Sequence, residues 1–187
     1  RIIAQTVYYF YAYFLLKNEK SINFSVPTGN FGDVYAGYLS KKMGLPINKL
    51  IVATNENDIL HRAISSGKYE TKTVLETISP SMDIQIASNF ERLIYDQNIC
   101  DDVETKNIMA GIKKDGKYII SKEKLKKIKK DFLSASMNEN EVLNTIKEVY
   151  EKYKIILDPH SAIGFGSLKK INIDGNNIVL ATAHPCK

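Results

Sequence analysis

Ser25-Val26-Pro27-Thr28-Gly29-Asn30-Phe31-Gly32-Asp33 joins a short apolar run, Phe24 to Val26, to a helical pattern that begins near Val34. A strand that feeds a helix through two glycines three residues apart is an arrangement in which proteins cradle phosphate. The first N–H groups of a helix lack intrahelical partners, the dipole is positive at that end, and glycine lets the chain come close to an anion. A carboxylate aimed at phosphate would repel it. Asp33 is therefore expected to offer its N–H to the ligand while its side chain caps the following helix. The spacing lacks the third glycine of the dinucleotide fingerprint and the Gly-Lys-Ser/Thr of a nucleoside-triphosphate loop. Taken alone, Gly29-Asn30-Phe31-Gly32 also describes an ordinary strand-to-helix turn.

Outward from this junction, Leu50 to Thr54 is a second short apolar run. The helical pattern Val34 to Met43 and a Gly44-Leu45-Pro46 stop separate it from the first, which predicts a strand–helix–strand crossover and parallel strands. Ile2 to Leu16 reads as a helix apolar on nearly every face, expected to be buried on both sides by partners that are missing from the chain. Asp58 to Ser65 reads as a helix capped by Asn57 or Asp58 and closed by Gly67, and Asp83 to Tyr95 as an amphipathic helix. From Ile99 to Tyr153 the composition shifts to lysine, glutamate and asparagine. A turn at Asp115-Gly116, a strand at Tyr118 to Ile120 and helices at Ser121 to Leu133 and Asn138 to Tyr153 are predicted there. A helix from Pro159 to Lys169 and a strand from Ile178 to Ala183 close the chain. The expected organisation is residues 1–98 as an α/β cofactor-binding region, 99–153 as a small, mainly helical insertion, and 154–187 as a return to the α/β region.

A chain of 187 residues is long enough for one sizeable core with a small appended unit. Its formal charge of +5 comes largely from Lys113 to Lys130, where the lysines alternate with Ile119, Ile120, Leu125 and Ile128 rather than with stacking aromatics. That pattern describes a solvated helix face more than a nucleic-acid surface. Two separate cysteines, Cys100 and Cys186, form no metal motif and fit a reduced, cytoplasmic setting. The most apolar stretch, Val7 to Leu16, is too short to span a bilayer. Without an initiator methionine, the chain reads as the downstream part of something longer.

Several ordered blocks resemble threonine synthase, a pyridoxal-phosphate enzyme. After the Ser25–Asp33 run come Ala36-Gly37-Tyr38, Met43-Gly44-Leu45-Pro46-Ile47 and Val52 through Leu60. Ser79-Pro80-Ser81-Met82-Asp83-Ile84, Ser88-Asn89-Phe90-Glu91-Arg92, Asp158-Pro159-His160, Ala162-Ile163-Gly164 and Ala181-Thr182-Ala183-His184-Pro185 follow in order. The resemblance is weakest from Ile99 to Tyr153. It departs mildly at Ser161, where threonine is more usual, and at Cys186, where alanine is; the sequence stops soon after, at Lys187, which is expected to leave the last strand less well covered.

The resemblance implies an α/β fold, part of the parallel-sheet pyridoxal-phosphate fold of the tryptophan synthase β type. It implies pyridoxal 5'-phosphate as cofactor, with Gly29, Asn30, Phe31, Gly32 and Asp33 at its phosphate and Thr182 at its pyridine nitrogen. Asn30 is also expected to reach the ring hydroxyl. The implied reaction of the complete enzyme converts O-phospho-L-homoserine and water to L-threonine and phosphate. Its Schiff-base lysine lies in a Ser-Phe-Lys-Asp type motif that this chain lacks, so no catalytic residue is assigned here. Lys41, Lys122 and Lys169 read as surface lysines, and the chain alone is expected to be inactive without an upstream half. Arg1, Asn89 and Arg92 are candidates for the substrate phosphate or for structural ion pairs. Among His61, His160 and His184, the last is the best acid–base candidate because it neighbours Thr182, although structural bonds account for all three. Asn55 and Asn57 read as loop residues making local bonds. The rivals are a non-catalytic remnant and a single-stranded nucleic-acid module, since Gly-x-x-Gly loops also clamp such backbones.

Overall fold

The computed structural model describes residues 1–16 and 21–186. Lys187 lies outside the described residues. The first strand, β1 (Ile22–Pro27), follows helix α1 (Ile2–Leu15) and leads into α2 (Gly32–Lys42) and β2 (Ile47–Thr54). β1 and β2 pair in parallel, with Phe24 opposite Leu50 and Val26 opposite Val52. This is the crossover that the glycine-bearing junction predicts. Every residue of β1 is buried, as befits a central strand covered on both faces.

The alternation of β1 sorts its neighbours. Phe24 meets the Tyr9 ring of α1 at 4.9 Å, whereas the next residue, Ser25, donates to the Gly164 carbonyl of helix α8 (Pro159–Ile171) at 2.6 Å. Successive strand residues face opposite sides, so α1 and α8 lie on opposite faces of the sheet. Gly37 of α2 packs against Tyr9 of α1. A Cβ there would stand 2.5 Å from Tyr9 Cε1 and 2.7 Å from Leu50 Cδ2. Both atoms belong to fully buried side chains. Gly37→Ala is expected to destabilise the chain by about 1–3 kcal/mol through overpacking, measured as a lower urea midpoint with the m-value unchanged.

Helix α3 (Ile59–Ser66) ends in Gly67 at φ 80°, as expected, and β3 (Lys68–Glu70) then pairs antiparallel with a later strand, β4 (Lys117–Ile119). The helix expected over Asp83 to Tyr95 is shorter: a 3-10 turn occupies Pro80–Met82 and α4 covers only Phe90–Gln97. The physical reason is Asp83. Its carboxylate accepts from Asn55 Nδ2 at 2.7 Å, Asn57 Nδ2 at 3.0 Å, and the hydroxyl and N–H of Thr77 at 2.7 and 2.8 Å. These bonds hold the segment against the end of β2 in place of a helical turn. Asn55 and Asn57 thus tie together segments 18–28 residues apart, where local bonds were expected, in addition to the local bond from the Asn57 N–H to Asn55 Oδ1 at 2.9 Å.

Helices α5 (Asp102–Asp115), α6 (Lys122–Asp131) and α7 (Glu139–Tyr153) follow, the last opened by a capping box in which Asn138 and Glu141 satisfy each other's backbone N–H. Between α6 and α7 the chain forms β5 (Phe132–Ser136), where the sequence periodicity had extended the helix to Leu133. β5 pairs in parallel with β2, and β6 (Asn176–Val179) with β1, giving the sheet order β5-β2-β1-β6. β6 is shorter than the expected strand and ends before Ala181. Residues 99–153 therefore supply a strand to the main sheet and Ile112, Ile120, Ile128 and Phe132 to its core.

On α1 the expected burial on both sides is not met within this chain. Ile3 is 81% exposed, and Val7, Tyr8, Tyr11 and Phe14 are all at least 59% exposed. No described helix is long and apolar enough to cross a membrane. The basic helix α6 is solvated and partly neutralised, with Lys124 against Glu104 at 2.7 Å and Lys127 against Glu123 at 2.9 Å.

Candidate functional site

The loop after β1 opens onto a cleft of about 1020 Å³. Gly29, Asn30, Gly32 and Asp33 line it from one side and Ala181, Thr182 and Ala183, beyond β6, from another. Clefts at the carboxyl ends of parallel strands are where such sheets gather ligands. Phe31 sits at φ 69°, a left-handed conformation that costs a non-glycine residue about 1–2 kcal/mol. Its ring is fully buried and meets Phe90 edge-on at 5.2 Å and Phe132 at 5.7 Å. Phe31 therefore lies outside the cleft lining and contributes backbone alone. Core packing holds the strained turn from below.

The turn leaves donors unused. Asn30 Oδ1 accepts from the N–H of Gly32 at 2.9 Å, and the Asn30 carbonyl accepts from Asn89 N at 3.0 Å and Nδ2 at 3.2 Å. Among the described residues, the N–H groups of Gly29, Asn30, Phe31 and Asp33 have no hydrogen-bond acceptor. A Cβ on Gly29 would lie 2.8 Å from the Ser81 carbonyl oxygen and 3.3 Å from Met82 Cα, so the backbone passes where no side chain fits. Amides without an acceptor among the described residues, in a loop that lines a cleft, leads into a helix and carries no basic side chain, have the chemistry that suits an anion. They offer little to a nucleic-acid backbone, which needs cations beside such a loop.

Asp33 does not cap α2. The helix starts at Gly32 with Phe31 as its cap residue, two positions before Asp33, and no side-chain bond caps it among the described residues. Instead Tyr9, fully buried, donates its hydroxyl to the Asp33 carbonyl at 2.8 Å and sits 3.3 Å from Oδ1. Burial, then the neighbouring Asp33, pushes the Tyr9 hydroxyl well above its ordinary pKa, which keeps it a donor. Burial also raises the Asp33 carboxyl, against the lowering effect of the Tyr9 bond. A carboxyl raised on folding contributes stability that is full below its unfolded value, about 3.9, and is lost as pH rises through its folded value. Asp33→Asn is thus expected to stabilise the chain at pH 7 and to lose that advantage near pH 3, as urea midpoints at the two pH values would register.

Arg1, Asn89 and Arg92 also line the cleft, with Arg92 Nε donating to Asn89 Oδ1 at 3.2 Å. No lysine is among the described residues that line it. Lys41 pairs with Asp131 and Lys169 with Glu148, each at 2.7 Å, while Lys122 is exposed at the start of α6. Of the histidines, His61 lies against Ser134 Oγ at 3.0 Å, its pKa lowered by burial. His184 is exposed, takes the Cys186 N–H at 3.2 Å and does not line the cleft. His160 does line it. Adjacency to Thr182 in sequence favoured His184; the helix of His160 brings that residue in from the other face of the sheet. Cys100 and Cys186 are free and exposed, and no group of three or more potential ligands among the described residues could hold a metal.

No family model matches the chain. A curated relative from Pseudomonas aeruginosa, threonine synthase, is 43% identical across the whole of this chain, which covers 40% of it. Threonine synthase of Saccharomyces cerevisiae is 44% identical, again over all of this chain and 41% of its own length. The chain is a threonine synthase homologue. A solved structure of PLP-bound threonine synthase from Brucella melitensis superposes with a TM-score of 0.95 at 46% identity, over 98% of this chain and 40% of that one. The parallel α/β fold is that of the threonine synthases. This homologue spans about two-fifths of the length of the curated relatives it matches.

Proposed function

We propose that the chain is the part of a threonine synthase that binds the phosphate end of pyridoxal 5'-phosphate, and that the complete enzyme converts O-phospho-L-homoserine and water to L-threonine and phosphate. The observation that carries this reading is the set of N–H groups at Gly29, Asn30, Phe31 and Asp33 without a partner among the described residues, in the loop beside the cleft of a chain homologous to threonine synthases throughout. Those amides hold the cofactor phosphate. Thr182, across the cleft, gives a hydroxyl to the pyridine nitrogen, and Asn30 Nδ2 is left for the ring hydroxyl. A neutral hydroxyl at that nitrogen does not stabilise a pyridinium as a carboxylate would.

When bound, pyridoxal phosphate supplies the electron sink for removing protons from the amino-acid carbons. The chain's own contribution is to orient and bind. Arg1 and Arg92 attract the phosphate of the substrate, with Asn89 steadying Arg92 through its Oδ1 and tying the same segment to the Asn30 carbonyl. The lysine that anchors the cofactor belongs to the remaining enzyme, which also covers the exposed apolar face of α1. The enzyme works in the cytoplasm. Assembling the chain with the remaining enzyme and assaying L-threonine and phosphate release from O-phospho-L-homoserine tests the reading; an assembled protein that binds pyridoxal phosphate yet releases neither product refutes it.

A further inference from the structure

His160 occupies the first turn of α8, and its side chain is about 6% exposed where it lines the cleft. Asp158, buried one turn-start earlier, fixes the imidazole. Its Oδ1 lies 3.0 Å from His160 Nδ1 and accepts the backbone N–H groups of His160 at 2.8 Å and Ser161 at 3.2 Å, while Oδ2 takes the Ser161 hydroxyl. An ionised carboxylate only accepts hydrogen bonds, so the network assigns the proton of the neutral ring to Nδ1. Nε2 is then a bare lone pair. It is buried and has no partner among the described residues. Buried polar atoms are normally satisfied, and an exception on a cleft wall marks a place where a ligand completes the bond.

We propose that His160 is a ligand-contacting residue of the cleft whose Nε2 accepts a hydrogen bond from the side-chain hydroxyl of the amino-acid ligand. This rests on the threonine synthase reading and adds to it a residue outside the phosphate cradle. Asp158 acts through His160 as a positioning residue, holding both the ring orientation and the tautomer. The carboxylate is itself locked by two backbone donors of α8, so the acceptor is rigidly presented.

The test uses the chain assembled with the remaining enzyme and loaded with pyridoxal phosphate. Imidazole nitrogen NMR follows His160 during titration with L-threonine and, separately, with L-2-aminobutyrate, which lacks the hydroxyl. The expected result is an unprotonated Nε2 whose resonance moves toward the hydrogen-bonded range on binding. A shift with L-threonine alone is expected and identifies the hydroxyl; an equal shift with both ligands overturns the assignment. His160→Phe should weaken L-threonine binding about tenfold, and His160→Gln, which restores an acceptor, should recover most of it, with pyridoxal-phosphate affinity within twofold of the parent in both. A protonated Nε2 at neutral pH, a resonance unmoved by either ligand while cofactor is bound, or parental L-threonine affinity in His160→Phe would each overturn the assignment. Failure of the assembled protein to take up pyridoxal phosphate at all would instead overturn the reading of the cleft, and the assignment with it. The wild-type resonance decides the matter even if the Phe variant does not fold.

Discussion

Gly29→Ala is expected to abolish tight binding of pyridoxal phosphate, with a loss of at least a hundredfold in affinity. The added methyl would press on the Ser81 carbonyl at 2.8 Å and on Met82 Cα at 3.3 Å, both backbone atoms with no rotamer to give way. Relief must come from moving the loop or the Pro80–Met82 turn, and either movement turns the neighbouring N–H groups away from a common focus. A charge-assisted hydrogen bond from backbone to phosphate contributes about 1.5–3 kcal/mol, so losing alignment at two of them accounts for the expected factor. Absorbance titration with pyridoxal phosphate measures it directly. The same substitution at Gly111, where an added Cβ meets nothing within 4 Å, serves as control and should leave the affinity unchanged.

The chain by itself should bind pyridoxal phosphate reversibly and form no threonine. The cofactor chemistry requires a lysine whose amine is freed of its proton beside the ring. The cleft is lined by the guanidiniums of Arg1 and Arg92, which do not form Schiff bases, and by no described lysine. Borohydride reduction followed by peptide mapping should give no stoichiometric pyridoxyl-lysine, and product release should stay at the uncatalysed level. A single labelled lysine accompanied by threonine formation would contradict this, and would place a reactive amine in the cleft.

The sheet's centre was legible because periodicity and punctuation agree there. Phe24 to Val26 and Leu50 to Thr54 are mostly apolar, and Gly29, Gly32 and Gly44-Leu45-Pro46 mark the turns. β5 was hidden for the opposite reason: Leu125, Ile128 and Phe132 continue the helical spacing of the lysine-rich run, and Ser134-Ala135-Ser136 has little strand propensity of its own. Pairing with β2 imposes the strand, which is a tertiary effect. At Ile84, Ile86 and Ala87 the helical spacing was likewise genuine, but the Asp83 hydrogen bonds prevail and Ile86 is left exposed. In the candidate site the loop itself could be read from its glycines. The left-handed backbone of Phe31 could not, since an aromatic residue gives no local sign of it. Nor could the place of His160, set by the way α8 crosses the sheet; the Asp158-Pro159 pair marks only where its helix begins.

Tyr9 joins α1 to the start of α2 through the Asp33 carbonyl, so the glycine loop after β1 has a foothold in a segment more than twenty residues ahead of it. A version that lacks Tyr9 keeps every amide of the loop yet loses this tether, so for crystallisation or labelling α1 is best left whole.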